Sequence, residues 1–163
     1  MHEALGISLL FAIGVVAGLR VGVPVLWIEW AAYRGLLRAS GPVSALFIDS
    51  ASASSVIRVI AVELFEIGLE KFGKAPGRTT ILSLLLRFLS GGTTGAILAE
   101  AAGLSSWLGA GLGFVGAITG AYASGRIGKF FVTNVMVPRL LVSFVEDAVA
   151  IVVGLLIISC FAI

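Results

Sequence analysis

The sequence predicts an all-α protein: a polytopic integral membrane helical bundle of about six helices, five or six of them spanning, with broken helices and an internal repeat. Three observations predict it. Of 163 residues, 59% are hydrophobic and only 12% are charged, whereas a soluble domain carries roughly 25% charged residues to solvate its surface. Mean hydropathy is +1.12. The apolar residues also gather into runs near the roughly 20 that a spanning helix needs, punctuated by Gly, Pro, Ser and short basic stretches.

The first run, Ala4 to Leu19, stops at Arg20. Glu3 stands where a secretory leader would be basic, so this run is expected to stay in the mature protein. A second helix is expected from Pro24, a favoured first helical position, to about Ala39 before Ser40-Gly41-Pro42. A third covers about Val43 to Phe72, with a break or packing seam in the Ser/Ala stretch from Ser50 to Ser55. The fourth runs from Thr79 to about Ala102 through Gly91-Gly92. The fifth follows Ser105-Ser106 to about Gly125, and the sixth starts near Pro138. The whole chain, 1–163, reads as one transmembrane domain.

The second helix decides the span count. From Pro24 to Arg38 it offers about 22 Å against a hydrocarbon core of about 30 Å. Trp27, Trp30 and Tyr33 recur every third residue, and such rings favour the headgroup level. It is a tilted span, or it lies re-entrant or along the interface. If all six helices cross, Arg20, Lys71, Lys74, Arg78, Arg126, Lys129 and Arg139 share one face and only Arg34 and Arg38 the other. The positive-inside rule then puts both termini outside the cytoplasm; with five crossings the N-terminus is cytoplasmic. The net charge of +2 is explained by these loops. With no basic stripe interleaved with aromatics, no nucleic-acid partner is expected.

Shifting the chain by 106 positions aligns Gly14–Gly22 with Gly120–Gly128, matching Gly14/Gly120, Ala17/Ala123, Arg20/Arg126 and Gly22/Gly128. This suggests repeat halves over 1–76 and 105–163, joined by a connecting helix over 78–103. Repeats in membrane proteins place sites at their interface and near broken helices.

Glu63, Glu66 and Glu70 fall within about 60° of one another on a helix, and Arg139, Ser143 and Glu146 share a face beside Asp147. An ionisable group within a span costs about 2.5–3.5 kcal/mol and faces a bundle interior or a wet cavity. Arg20, Glu63, Glu66, Arg126, Glu146 and Asp147 are therefore the candidate substrate- or ion-binding residues, as a titrating or ion-binding centre or as internal ion pairs. Arg20 with Glu146 and Arg126 with Glu66 are the pairs the repeat suggests. Gly18, Gly22, Gly91, Gly92, Thr93, Thr94, Gly125 and Gly128 are candidate helix breaks or exposed-backbone positions. Small residues spaced by four, as in Gly91, Gly95, Ala99 and Gly103, fit tight helix packing. His2 and Cys160 are the only His and Cys, so no metal site, cofactor or Ser-His-Asp arrangement is expected, and Cys160 reads as a packing residue.

At Gly18-Leu19-Arg20 with Pro24, then Glu66, Glu70-Lys71 and Pro76, and finally Glu146-Asp147, the chain resembles a family of uncharacterised prokaryotic membrane proteins, catalogued as domain of unknown function 4126. Glu70 stands where that family usually has Asp, and Pro76 lies farther from Lys71 than its pattern has it. The resemblance implies a polytopic inner-membrane protein of a bacterium or archaeon and supplies no activity.

The expected function is a small transporter or channel for an ion or small polar solute, without a catalytic role. Its expected partners are membrane lipid and further copies of itself, a homodimer above all. The alternatives are an accessory subunit of a membrane complex, whose buried charges are ion pairs, and a membrane-embedded enzyme.

Overall fold

The computed structural model describes residues 3–47, 52–71 and 81–161. Among the described residues there are seven helices and no strand: α1 (Glu3–Leu19), α2 (Gly22–Tyr33), α3 (Pro42–Phe47), α4 (Ala53–Lys71), α5 (Ile81–Ala101), α6 (Ser106–Asn134) and α7 (Arg139–Phe161). Two of them, α5 and α7, are long and apolar enough to cross a membrane, where the sequence predicted five or six. The apolar helix α1 is shorter, at 17 residues, and α4 carries Arg58 and three glutamates.

Local chemistry explains the boundaries. Gly35 and Gly103 adopt the left-handed conformation, φ 67° and 71°, and each closes the helix before it. Leu36 N donates to Ala31 O and Gly35 N to Ala32 O; Leu104 N to Ala99 O and Gly103 N to Glu100 O. Both are Schellman caps, which use carbonyls the helix leaves open. Gly35 thus ends α2 six residues before the expected Ala39. The expected third helix is two, α3 and α4. Ser52 and Ser55 cap the start of α4 reciprocally, Ser52 N donating to Ser55 Oγ at 2.9 Å and Ser55 N to Ser52 Oγ at 3.2 Å, in the manner of a capping box.

Contacts across the bundle set the helix directions. Gly14 lies on Gly113 and Gly18 on Ala117, so α1 and α6 run parallel. Gly91 lies on Gly113 and Gly95 on Gly109, so α5 runs against α6. Arg20 meets Asp147 and Trp27 Nε1 donates to Ile151 O at 3.1 Å, so α2 descends beside α7. Glu29 meets Ser55, while Val23 and Leu26 face Ile60 and Leu64, so α4 rises against α2. Helices α1, α4 and α6 therefore point one way and α2, α5 and α7 return. One end of the bundle holds Arg20 and the start of α7; the other holds Glu100 and α3.

The core is built around α1, with Leu10, Ile13, Val16 and Ala17 buried against Ile97 and Leu98 of α5 and Ala117 and Ala121 of α6. Glycines let the backbones touch. A Cβ on Gly14, Gly91 or Gly95 would overlap a carbonyl oxygen of α6, and one on Gly116 or Gly120 a carbonyl oxygen of α1. Outward from this seam, Leu82, Leu85 and Leu89 of α5 and Phe144, Val145, Val152 and Leu156 of α7 are exposed.

Several expected breaks are absent. Helix α5 runs unbroken through Gly91, Gly92, Thr93 and Thr94. The threonine hydroxyls serve their own helix, Thr93 Oγ1 donating to Leu89 O and Thr94 Oγ1 to Ser90 O, both at 2.6 Å, while Gly91 and Gly95 serve helix packing. Helix α6 likewise continues through Gly125 and Gly128 to Asn134, and α7 lies close at Gly128, where a Cβ would meet Glu146 Oε1 at 3.3 Å. The chain does reverse between Leu19 and Gly22. Arg20 thus stands at a helix end and Arg126 in mid-helix, so the two arginines paired by the internal alignment occupy different structural settings. Cys160 is exposed, where packing was expected.

Candidate functional site

Arg20 is 1% exposed. It is carried inward by the α1–α2 reversal, and one face of α7 meets it: Ser143 and Asp147, one turn apart, are the polar members of the buried row that continues through Ala150, Gly154 and Ile157. Arg20 Nε donates to Asp147 Oδ1 at 2.5 Å, and Nη2 forms an ion pair with the same oxygen. Nη2 also reaches the Ser143 hydroxyl at 3.4 Å. Such a pair is costly to desolvate, and removing one partner leaves an uncompensated charge.

The reversal at Arg20 leaves the last carbonyls of α1 without helical partners. Arg87 of α5, 4% exposed, serves them: Nη1 donates to Gly18 O and to Leu19 O, the latter at 3.0 Å. Nε of the same residue donates to Ser83 Oγ at 3.2 Å, and Ser90 Oγ to Val21 O at 2.5 Å.

Two cavities adjoin the Arg20–Asp147 pair. A cleft of about 590 Å³ opens between α6 and α7 at the Arg20 end, lined by Arg126, Lys129, Thr133, Arg139, Ser143 and Glu146 among others. A second cavity, of about 140 Å³ between α2, α4 and α7, has Arg20 and Asp147 in its wall, with apolar Val23, Leu26, Ile60 and Leu64. Ser143 lines the larger cleft and lies 3.4 Å from Arg20 Nη2, so the pair walls the smaller cavity and adjoins a residue of the larger one.

The structure thus brings together Arg20 and Asp147 and sets Glu146 and Arg126 in the wall of the adjoining cleft. Arg20 pairs with Asp147, the helix neighbour of the expected Glu146. Neighbours on a helix point about 100° apart, and Asp147 is the one on the buried row. The side chains of Glu63 and Glu66 lie outside the described residues, and with them the expected Arg126–Glu66 pair.

Sequence reasoning passed over three charged residues. Arg87 was legible as an arginine in an apolar run with Ser83, Ser90 and Thr94 on its face. Glu29, 9% exposed, accepts a hydrogen bond from Ser55 Oγ at 2.7 Å. Glu100, at the far end, accepts from Val43 N at 3.1 Å, Ser44 N at 2.8 Å and Ser106 Oγ at 2.7 Å, clasping α3 to the α5–α6 turn.

Among the described residues no group of His, Cys, Asp and Glu is arranged to hold a metal ion. Comparison with family models, curated proteins and solved structures finds no match to the chain.

Proposed function

We propose that this chain is a small polytopic integral membrane protein of a prokaryotic inner membrane, and that it acts as a transporter or channel for an ion or small polar solute. Arg20 and Asp147 form its constriction. The observation that carries the reading is the buried ion pair, which walls one cavity and adjoins the larger cleft through Ser143. Intramembrane charges of this kind mark ion and substrate paths more often than they serve packing.

Exposed apolar faces on α5, α6 and α7 support the membrane setting, since water-soluble monomers rarely show such contiguous surface. The backbone-to-backbone glycine seam fits helices associating where lipid supplies no hydrophobic drive. The six longer helices alternate in direction, and α2, at 12 residues or about 18 Å, covers only part of the depth. Arg20, Arg87, Arg126, Lys129 and Arg139 cluster toward one end, and Arg34 and Arg38 toward the other. The basic end is then cytoplasmic, with both termini outside. The resemblance to domain of unknown function 4126 belongs to this same reading. A chain of 16.8 kDa leaves little room for a complete pathway, which favours a homodimer.

Liposomes loaded with a pH dye, or with potassium- or chloride-sensitive dyes, test the activity. Reconstituted protein is expected to raise flux of one of these ions above empty vesicles, and Asp147→Asn to change that rate at least several-fold. Silent vesicles for all three ions, with folded protein in the bilayer, would refute an ion pathway and leave polar solutes for the same assay.

A second reading has its own support. Arg20, Arg87 and Glu29 all find partners inside the chain, as expected of an accessory subunit whose charges lock helices in register. Co-purification with a fixed partner and no flux alone would favour it.

A further inference from the structure

We infer that the cleft between α6 and α7 binds the phosphate of an anionic phospholipid, an inference that rests on the membrane setting proposed above. Arg126 and Lys129, three residues apart on α6, face Arg139 in the first turn of α7 across a space of about 590 Å³. Among the described residues none of these three cations forms an ion pair. The single carboxylate in the wall, Glu146, is itself engaged in an interaction. The cleft therefore presents an excess of positive charge, and α7 begins beside it, adding the positive end of its dipole. Tyr122 supplies a hydroxyl in the same wall.

What surrounds the cations selects a lipid over a free anion. Phe130 and Phe131 on α6, with Leu140, Leu141, Phe144 and Val145 on α7, are all exposed and adjoin the cleft residues in sequence. A ligand seated here would meet cations at one end and an apolar wall at the other. An inorganic phosphate would use the first and leave the second bare. Basic pockets between helices at the cytoplasmic face suit anionic headgroups, each Lys or Arg near the surface adding about 1 kcal/mol.

The test uses the purified full chain in a neutral detergent, with phosphatidylglycerol, phosphatidylcholine and sodium phosphate as separate probes, read by native mass spectrometry and thermal shift. Phosphatidylglycerol is expected to stay bound and raise the unfolding temperature, while phosphatidylcholine at equal concentration does neither. The double variant Lys129→Gln/Arg139→Gln should weaken phosphatidylglycerol binding roughly tenfold or more, and Lys129→Arg should retain it. Both positions are exposed, so the fold should persist, with circular dichroism as the check. Equal retention of the two lipids would overturn the proposal, as would an unchanged affinity in the double variant. Displacement of the lipid by millimolar sodium phosphate would overturn the lipid assignment in favour of a free anion. Failure of the membrane reading is separately visible, as release of the protein from membranes by alkaline carbonate.

Discussion

Arg87 donates to the carbonyl oxygen of Leu19 at 3.0 Å, so the last turn of α1 is finished by a side chain of α5. The backbone reversal that carries Arg20 inward is supported by this contact, because Arg87 supplies the donors that the freed carbonyls of Gly18 and Leu19 lack within the helix. Arg87→Met keeps the apolar stem and removes the donors. It is expected to cost about 2–4 kcal/mol, as several buried acceptors lose a charged partner. Chemical unfolding of the purified variant measures it, and a loss below about 0.5 kcal/mol would show that the reversal holds itself.

The Arg20–Asp147 pair predicts a strongly non-additive cycle. Asp147→Asn should destabilise by about 3–5 kcal/mol, because the buried Arg20 then loses the carboxylate that two of its nitrogens contact. Arg20→Met combined with Asp147→Leu should recover most of that stability. If the pair serves only packing, the double variant keeps whatever flux the wild type has; as a constriction, it loses it.

Glycine substitutions should divide by position. Gly95→Ala and Gly113→Ala place a Cβ on the carbonyl oxygens of Gly109 and Gly91, and the helices must part, costing about 1–3 kcal/mol each. Gly111 and Gly125 have nothing within 4 Å of an added Cβ. Alanine there should be neutral or stabilise by up to about 1 kcal/mol through helix propensity. Thermal unfolding of the four variants, compared side by side, decides it.

Glu100 makes a local prediction at the opposite end. Its carboxylate accepts from both Val43 N and Ser44 N, so Glu100→Ala should free α3 at about 1–2 kcal/mol. Hydrogen exchange at Val43 and Ser44 should quicken while that of α1 and α6 is unchanged. Uniform loss of protection would mean that the clasp holds the whole bundle.

Orientation can be read with single cysteines in a Cys160→Ala background. An impermeant maleimide applied to intact cells should label Arg38→Cys and spare Asn134→Cys, since six traverses put these positions on opposite faces. Labelling of both from outside would refute the six-traverse topology.

Much of the helical layout could be read along the chain, because its determinants are local. Runs without charge, Pro42 at a helix start and serines before α4 and α6 act within a few residues of themselves. The break expected at Gly91-Gly92 failed for a non-local reason. A glycine weakens an isolated helix, but here Gly91 and Gly95 lie on α6 backbone, and the packing they allow offsets the propensity they lose. Arg20 and Asp147 were legible as charges set in or beside apolar runs. Their pairing across 127 positions was not, since it depends on the rotation of α7 that turns Asp147 inward and leaves Glu146 on the cleft wall.

The sequence by itself determined that this chain forms apolar helices, since its hydrophobic residues gather into long runs with few charges, and it located most of their starts. Only the tertiary structure decided that Arg87 completes α1, that Asp147 receives Arg20, and that the two arginines of the internal alignment stand in different surroundings. Local rules act through neighbouring backbone groups, whereas these contacts arise where helices distant in the chain converge, and no spacing along the sequence encodes their relative rotation.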